Sequence, residues 1–429
     1  MMERIETVII GGGQAGLAMS YHLSRIGREH VILEEKWPGH RWRTERWDAF
    51  AYQFPNWTLQ LPGYGYRGDD PDGFIGRDEI ARFVEGYAAF IAAPVRCGAK
   101  VTALRETAEA QRFVVESSNE AIEAVNVIVA TGPYQRSAIP RLAAAMPPWA
   151  FQVHSSCYRN PGQLPPGAVL VVGSAASGCQ IAEDLQEGGR QVYLAVGSHR
   201  RMVRRYRERD IVWWATKIGH FDRTVESVSP EGRRAIAVLT GVNGGHDLDV
   251  WRLVENGVVP LGHLRGVEGG TCTFAADLEQ TLTRADAACN DLLRSVDDYI
   301  ERTGLHAPEP DRSSPRPAVP TAITTLDLRA AGIRSIVWAT GFRDDFARIR
   351  LPVFDHAGKP VHRRGVTCHS GLYFLGLSWL HKHKSASLIG AGEDAEYLAE
   401  HIFAERTNVR LRARALTLSR PSIYRRVER

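Results

Sequence analysis

Two glycine-rich segments of this chain have the residue types and spacing to hold a pyrophosphate. The first is Gly11–Gly16, with the sequence GGGQAG, and the second is Gly173–Gly178, with the sequence GSAASG. In a G-x-G-x-x-G segment the first glycine permits a tight turn, the second lets phosphate approach the backbone, and the third lets a helix pack closely on a strand. Ala175 replaces the middle glycine of the second segment, and its methyl group holds the phosphates slightly further off without closing the site.

The elements around the first segment must place it at the end of a strand. Thr7–Ile10 is a short β-branched run before the glycines, Leu17–Ile26 has helical spacing of apolar residues, and Val31–Leu33 reads as a second strand. That strand ends on Glu34, whose carboxylate can accept both hydrogen bonds of an adenosine ribose. Glu35 lies on the opposite face of the strand and is the weaker candidate. Strand, glycine turn, helix, strand and acid in this order predict a dinucleotide-binding fold.

The second segment repeats this pattern but ends on basic residues. Ala168–Val172 is a continuous apolar strand, Ile181–Leu185 lies on a helix, and Gln191–Val196 is the following strand. A guanidinium binds a ribose 2′-phosphate bidentately, whereas a carboxylate repels it. Arg200 and Arg201 therefore favour NADPH over NADH. The alternative is a solvated basic face formed by Arg200, Arg201, Arg204, Arg205 and Arg207.

Each glycine segment is followed further along the chain by a strand that ends in Ala-Thr-Gly. These tripeptides are Ala130–Gly132 and Ala339–Gly341. Small residues at a strand end let a loop pass under a bound dinucleotide without a clash. A nicotinamide delivers hydride and a flavin accepts it, so two such folds in one chain predict FAD in the first and NADPH in the second.

The remaining segments position these folds. Aromatic residues around Trp42, Trp47 and Phe54–Trp57 fit a pocket for a flavin ring, and a plain aromatic core is the alternative. Capping and apolar spacing predict a helix from Asp78 through Tyr87 and another over Leu282–Ile300, which should pack on the second domain. The stretch 306–320 holds five prolines and should be an exposed connection, and the arginine-rich tail 406–429 is a solvated end or an oligomer arm.

Composition excludes several other classes of protein. At 429 residues the chain is long enough for two domains, and its net charge of +4 does not argue for nucleic acid. None of the six cysteines forms a C-x-x-C pair, so neither a redox-active disulfide nor a zinc half-site is expected, and we expect no bound metal. No apolar run has the length of a signal peptide or a membrane span, so we expect a cytoplasmic protein.

These residues together resemble the flavin-containing monooxygenases and their bacterial relatives, the class B flavoprotein monooxygenases. Just before its second glycine-rich segment the family has an identifying stretch, which consists of a Phe-x-Gly pair followed by a histidine and an aromatic residue. Residues 154–161 match the second half of this stretch, but Pro148 and Ala150 stand where the family has Phe and Gly. This difference bears on the subgroup and on how NADP⁺ is held between the domains. The resemblance covers nearly the whole chain and rests on Gly11–Gly16 with Glu34, Trp42–Asp48, Asn56–Gly63, Gly173–Gly178, Ala339–Arg343, Gly371–Leu377 and Asp394–Ala395.

The resemblance implies an α/β fold of two Rossmann-like dinucleotide-binding domains of three-layer ββα type, with the NADP domain inserted in the FAD domain. The expected parts are 1–155 and 323–429 for FAD, and 156–322 for NADP. The implied activity is that of an NADPH-dependent monooxygenase: NADPH reduces FAD, O₂ forms a flavin hydroperoxide, and one oxygen atom passes to a small-molecule nitrogen, sulfur or carbonyl centre. An NADPH-dependent flavin reductase without oxygen transfer is the alternative. The expected partners are the small-molecule substrate and O₂, with a homodimer left open.

Individual roles follow from the resemblance and the motifs. Asn56 is the candidate catalytic residue because the family has an asparagine in a similar loop, and a turn residue is the alternative. His154, His381 and Lys384 are candidate pocket residues, with structural roles as the alternative. The candidate cofactor-binding residues are Gly11, Gly13, Gln14, Ala15, Gly16, Glu34, Trp42, Arg43, Gln60, Val101, Ala130, Thr131, Gly132, Gly173, Ser174, Ala176, Ser177, Gly178, Ser198, Arg200, Arg201, Ala339, Thr340, Gly341 and Asp394.

Overall fold

Two sheets organise the molecule, one for each glycine-rich segment. The computed structural model describes residues 2–107, 112–233, 238–310 and 321–418, with side chains through residue 404. The strands Glu3–Ile10 and Ala168–Val172 run directly into the two glycine segments, and their inner residues are almost fully buried. Such continuously apolar strands suit a parallel sheet that is covered on both faces.

The first sheet combines segments from both ends of the described chain. Glu3–Ile10 pairs in parallel with His30–Glu34 on one side and with Ala121–Val129 on the other. Val101–Glu106 and Phe113–Ser117 form an antiparallel pair that joins the sheet at Ala121–Val129. Across the main path the strands follow the order His362–Arg363, Val366–Thr367, Leu372–Phe374, Ala121–Val129, Glu3–Ile10, His30–Glu34 and Val95–Cys97.

The second sheet is parallel throughout and comes from the middle of the chain. Because the first sheet resumes only at His362, the second fold is inserted into the first, which confirms the predicted arrangement of two Rossmann-like domains. Its strands follow the order Phe151–His154, Ile333–Trp338, Ala168–Val172, Val192–Ala195 and Val259–Leu261.

Strand pairing bears on the predicted domain boundaries at 156 and 322. Phe151–His154 and Ile333–Trp338 pair with each other, and Ile333–Trp338 also pairs with Ala168–Val172, so both strands belong to the second sheet. Each lies just outside the expected range, because an apolar strand pattern does not state which of two sheets the strand will join. We propose that the inserted domain extends from about residue 150 to about residue 340.

The described residues include five helices of twelve residues or more. The helix predicted from Asp78 runs over Arg77–Phe90. The helix predicted over 282–300 is longer than expected and buries its apolar stripe against the second domain, where Leu292 and Val296 pack with Trp214. The five are Gln14–Arg25, Arg77–Phe90, Ala176–Glu187, Leu278–Thr303 and Ala391–Leu418.

Shorter elements fill the connections. Short helices, including 3₁₀ turns, lie at His40–Thr44, Asn56–Thr58, Arg141–Ala145, Pro161–Gln163, Ile211–Lys217, His220–Asp222, Val225–Ser227, Pro230–Arg233, Val242–Gly244 and Val250–Glu255. Short strands outside the two sheets lie at Gln60–Leu61, Tyr64–Gly65, Arg136–Ser137, Arg205–Tyr206, Arg209–Asp210, Leu264–Glu268, Thr271–Phe274, Thr325–Asp327 and Phe342–Arg343.

Two predicted segments lie partly outside the described residues. In the connection 306–320, residues 306–310 have neither helix nor strand, and 311–320 are not among the described residues. In the tail 406–429, the backbone is helical through Leu418, while its side chains and residues 419–429 are not described. None of the described helices is long and apolar enough to cross a membrane.

A buried arginine ties the two domains together. Arg204 was considered as part of a solvated basic face, but it is only 1% exposed. Its guanidinium donates to the Gln53 carbonyl at 2.8 Å and to the Asp210 carboxylate at 2.6 Å, and it lies 4.8 Å from the centre of the Phe74 ring. Gln53 and Phe74 belong to the first domain and Asp210 to the second, so one guanidinium bridges both.

We expect Arg204→Met to lower the free energy of unfolding by about 3–5 kcal/mol, because it leaves the Asp210 carboxylate buried without its partner. Arg205 is exposed and adjacent, so Arg205→Met is the matched control and should change stability by less than about 0.5 kcal/mol. Urea unfolding followed by circular dichroism measures both. Equal stability of the two variants would contradict the bridging role.

Candidate functional site

The first glycine segment is shaped by close contacts that only glycine allows. Gly11 has φ of +108°, and a Cβ added there would lie 2.7 Å from the Ala130 carbonyl oxygen. A Cβ on Gly16 would lie 2.0 Å from the Gly11 carbonyl oxygen. These two close approaches press the helix Gln14–Arg25 onto the strand Glu3–Ile10 and let the loop after Ala130 pass beneath.

The same helix presents free backbone N–H groups to an open space. Gly13 caps it in an extended conformation, without a side-chain cap and without an acidic residue in the first turn. A Cβ on Gly13 would meet no atom within 4 Å, because that position faces a cavity of about 440 Å³. Uncapped N–H groups and the partial positive charge of a helix N-terminus suit a pyrophosphate, so the segment fits a dinucleotide.

The carboxylate predicted to hold a ribose lies at the edge of this cavity. Glu34 Oε2 accepts a hydrogen bond from the Gly12 N–H at 2.6 Å, and Oε1 accepts from the Lys36 N–H at 2.9 Å. Glu35 also borders the cavity, but its carboxylate is paired with Lys100 at 3.0 Å. Glu34 is therefore the carboxylate that the backbone orients toward the cavity.

Most of the residues predicted for the first site line this cavity. Thr131 has a buried hydroxyl with no hydrogen-bond partner in the described part of the chain, which marks it as a group that a ligand can satisfy. Trp37, His40, Arg46, Tyr134 and Gly376 also line it but were not among the candidate cofactor-binding residues, although Arg46 and Gly376 lie in segments that carry the family resemblance. The predicted residues found here are Gly11, Gly13, Gln14, Ala15, Glu34, Trp42, Val101, Ala130, Thr131 and Gly132.

Three other candidates lie away from the lining. Arg43 is paired with Glu85 at 3.1 Å, and Gln60 donates to the Trp57 carbonyl at 2.9 Å. Asp394 is 2% exposed near the start of the last helix, and burial raises the pKa of its carboxyl. Local contacts hold Arg43 and Gln60, and these contacts were not visible in the linear motif. Asp394 Oδ2 is buried and has no hydrogen-bond partner in the described residues.

The second glycine segment repeats the geometry of the first. Gly173 has φ of +109°, and a Cβ there would lie 2.4 Å from the Ala339 carbonyl oxygen. A Cβ on Gly178 would lie 1.9 Å from the Gly173 carbonyl oxygen. Ala175 caps the helix Ala176–Glu187 with φ of −75° and ψ of −177°, and no acid stands in the first turn. The helix again opens onto a cavity, here of about 510 Å³.

The residues predicted for the second site divide into two groups. Ser174 lines the cavity and has a buried hydroxyl without a partner in the described residues. Gly178, like Gly16, shapes the turn and does not line the space. Those that line the cavity are Gly173, Ser174, Ala176, Ser177, Ser198, Ala339, Thr340 and Gly341.

The predicted pair of guanidinium groups at the strand end is not a pair in the structure. Arg201 points into the protein, where its Nε lies 2.7 Å from the Asp249 carboxylate and 3.8 Å from Asp286. Arg200 is half-buried and makes no ion pair within the described residues, and neither arginine lines the cavity. The pairing of Arg201 with Asp249 and Asp286 does not favour a ligand role, which stays a prediction, and sequence reasoning missed these carboxylates because they lie far along the chain.

The two cavities meet at three shared residues, Trp42, Arg46 and Tyr134. The Arg46 guanidinium lies 5.2 Å from the Trp42 ring centre and 5.9 Å from that of Tyr134. Burial lowers the pKa of Arg46. Trp42, Phe50 and Tyr52 line the second cavity, so part of the aromatic stretch borders ligand space, whereas Trp47 is only 3% exposed and packs on Phe50.

The amide of Asn56 is fully used by the loops around it. Its Nδ2 donates to the Asp70 carbonyl at 2.9 Å, and its Oδ1 accepts from the Ile75 N–H at 2.9 Å. Asn56 is 2% exposed and lines neither cavity. These bonds fit the alternative of a structural turn residue, and a catalytic role for Asn56 stays a prediction.

The other candidate pocket residues are also held by the protein. His154 is buried, with Nε2 at 2.9 Å from the Gly341 carbonyl and Nδ1 at 2.9 Å from the Ser156 hydroxyl. Lys384 is paired with Asp222 at 2.8 Å and with Glu393 at 2.6 Å. His381 is half-buried and lines neither cavity.

All six cysteines are free thiols.

Comparisons with known proteins agree with this geometry. The family model of pyridine nucleotide-disulphide oxidoreductases matches residues 8–213. The CzcO-like oxidoreductase of Geobacillus kaustophilus is 32% identical over 94% of this chain and 99% of its own length.

Solved structures share the fold at low sequence identity. A flavin-containing monooxygenase from Stenotrophomonas maltophilia is 19% identical with a TM-score of 0.65, covering 94% of this chain and 99% of its own. The bacillithiol disulfide reductase of Bacillus cereus is 14% identical with a TM-score of 0.60, covering 94% and 100%. The protein OTEMO, solved with FAD and NADP, is 17% identical with a TM-score of 0.52, covering 94% and 86%.

These findings confirm the predicted resemblance and show that the chain is an oxidoreductase with the predicted fold. The match to the Geobacillus relative extends over nearly all of both chains, and the residues matched by the family model include both glycine segments. This chain belongs to the CzcO-like family of oxidoreductases and has the fold of the flavin-containing monooxygenases.

Proposed function

We propose that this protein is an NADPH-dependent flavoprotein monooxygenase that holds FAD in the first cavity and NADPH in the second. The observation that carries the proposal is that the two cavities, each at a dinucleotide-type glycine turn, adjoin at Trp42, Arg46 and Tyr134. Hydride transfer needs the two ring systems in contact, and a shared wall allows that.

The first cavity suits FAD through its polar ends. The free N–H groups after Gly13 can bind the pyrophosphate, and Glu34 can accept hydrogen bonds from the adenosine ribose. Thr131 offers a buried hydroxyl that has no other partner among the described residues. The second cavity suits NADPH because its equivalent strand end carries no carboxylate, while Ser198 lines the space and Arg200 is free of ion pairs in the described chain.

The FAD bound there would supply the redox chemistry, which would take hydride from NADPH and one oxygen atom of O₂ to a nitrogen, sulfur or carbonyl centre of a small molecule, with the other oxygen atom leaving as water. The protein's own task is to orient the two nucleotides and to keep water from the reacting atoms. Phe50 and Tyr52 on the wall of the second cavity provide apolar surface for this, and Arg46 provides a half-buried positive charge at the junction.

Oxygen transfer is the step that separates this proposal from a flavin reductase. The purified protein should be yellow, and NADPH should bleach its 450 nm flavin band without oxygen. On admitting air with a panel of amines, sulfides and ketones, at least one substrate should raise NADPH consumption and yield a product heavier by one oxygen atom. Reoxidation to peroxide alone with every compound would favour the reductase, and a colourless protein that takes up no FAD would refute both.

The two glycine turns differ by one methyl group at matching positions. Gly13 and Ala175 cap their helices with nearly the same backbone angles. We expect Gly13→Ala to weaken FAD binding about tenfold, because the new methyl group occupies space otherwise open to phosphate. Ala175→Gly should instead lower the Kd for NADP⁺. Flavin release during ultrafiltration and calorimetric titration measure the two, and unchanged binding in both variants would contradict the role of these turns.

Arg200 and Arg201 should differ in their effects. Arg200→Gln should raise KM for NADPH about tenfold or more and leave KM for NADH nearly unchanged, because it removes a charge available to the 2′-phosphate. Arg201→Gln should chiefly lower thermal stability, because the buried Asp249 carboxylate loses its ion-pair partner. Steady-state kinetics with both nicotinamides and melting curves measure these effects. The assignment would be wrong if Arg200→Gln chiefly lowered stability and Arg201→Gln chiefly raised KM for NADPH.

A further inference from the structure

Two arginines and two histidines outside both glycine turns lie together between the domains. We call Arg200, His220, Arg223 and His383 the cationic cluster. Arg223 Nη2 lies 2.8 Å from His220 Nε2, and the ring centres of His220 and His383 are 5.3 Å apart. The positive charge of Arg200 is close enough to lower the pKa values of the other three, in each case behind the effect of burial.

Both histidines of the cluster are neutral. A guanidinium can only donate hydrogen bonds, so His220 Nε2 must accept the bond from Arg223 and cannot carry a proton. Burial, followed by the neighbouring positive charges, lowers the pKa of His220 to about 3 and that of His383 to about 4. The net charge of the cluster near neutral pH is therefore that of its two guanidinium groups.

No carboxylate in the described residues makes an ion pair with either guanidinium of the cluster. The acids of the adjoining elements are used elsewhere: Lys382 and Lys384 each bind both Asp222 and Glu393, at distances from 2.6 to 3.0 Å. That group of four charges sums to zero. The two half-buried positive charges of the cluster thus lack compensation, and burial lowers the pKa of both arginines.

Other arginines of the same segment show the usual arrangement. Arg201, Arg204 and Arg207 are each paired with an aspartate, at 2.7, 2.6 and 2.8 Å respectively. Half-buried guanidinium groups without such a partner are costly, and proteins commonly keep them where an anion binds. Arg200 and Arg223 therefore differ from their neighbours in the way expected of ligand-binding groups.

Aromatic side chains flank the cluster. The Trp379 ring stacks on His383 with centres 4.7 Å apart and planes 12° from parallel, and the Phe221 ring lies 5.6 Å from His383. Trp379 has φ of +57°, a strained conformation for a bulky residue that is often found at functional sites. His383 Nδ1 is buried and has no hydrogen-bond partner in the described part of the chain.

Packed residues connect the cluster to the walls of both cavities. The loop that carries His383 continues to Ala386, whose carbonyl accepts from Gln14 Nε2 at 3.1 Å in the first glycine turn. On the other side, Phe221 contacts Phe54 at 5.7 Å, and Phe54 contacts Tyr52, which lines the second cavity. None of the four cluster residues lines either cavity, so an anion bound to the cluster would lie beyond the cavity walls, at the junction between the domains.

We propose that the cationic cluster binds an anionic oxygen group, a phosphate or a carboxylate, of a small molecule held between the two domains. The identity of that molecule rests on the proposed function: the group is either the ribose 2′-phosphate of NADPH or a carboxylate of the substrate. In both cases Arg223 contributes a charge that the sequence motif did not reveal. The guanidinium groups of Arg200 and Arg223 bind the oxygens, because a guanidinium is always charged and donates several hydrogen bonds.

The test compares Arg223→Gln with Arg205→Gln, which removes an equal charge from an exposed site in the same domain. Full-length protein is titrated by calorimetry with adenosine 2′,5′-bisphosphate and, separately, with benzoate. We expect Arg223→Gln to raise the Kd of one probe at least tenfold, Arg223→Lys to restore part of it, and Arg205→Gln to leave both unchanged. Weaker binding of the bisphosphate assigns the site to the 2′-phosphate, and weaker binding of benzoate assigns it to a substrate carboxylate.

The inference is overturned if neither Kd changes in Arg223→Gln, or if Arg205→Gln causes the same loss. Circular dichroism and melting curves of the three variants establish that they are folded, and the lysine variant keeps the comparison valid should the glutamine variant be unstable. Flavin content and the rate of flavin reduction by NADH, which lacks the 2′-phosphate, are measured alongside. A protein without flavin would refute the proposed function, whereas a flavin-loaded protein with unchanged probe affinities would refute only the anion site.

Discussion

The contact on which the rest of this structure depends is that of a helix glycine against the carbonyl of a turn glycine. In each domain a Cβ at the helix position would lie about 2 Å from that oxygen, a distance that no side chain tolerates. This contact brings the first turn of the helix to the end of the buried strand and aims its free N–H groups at the cavity. Without it, the cavity, the loop beneath it and the shared wall would all be displaced.

The junction between the domains is a second constraint, and it relies on buried charge. Arg204 spans the domains through a backbone carbonyl, a carboxylate and an aromatic ring, while Arg46 lies among the aromatic side chains where the cavities meet. Buried charges require fixed partners, so they specify one relative placement of the two folds better than apolar packing alone. A hydride-transfer enzyme needs that precision because the two rings must meet in one geometry.

What could be predicted from the sequence was set by local rules. The glycine turns, their strands and helices and the carboxylate at Glu34 follow from short-range sterics and periodicity, and the fold agrees with them. The ion pairs of Arg201 and Arg43 could not be predicted from the sequence, because their carboxylate partners lie about 40 to 50 residues away along the chain. Arg223 was missed for the same reason, because its neighbours Arg200 and His383 come from other segments.

The single methyl group by which the two turns differ has a consequence for how each nucleotide is used. A turn bare of side-chain atoms at Gly13 allows the tightest backbone approach, as suits a prosthetic group that stays through many catalytic cycles. A turn that carries the Ala175 methyl group would hold phosphates less closely, as would suit the proposed NADPH, a cosubstrate that departs once per cycle. A single methyl group can thus give the two nucleotides different residence times on two otherwise similar folds.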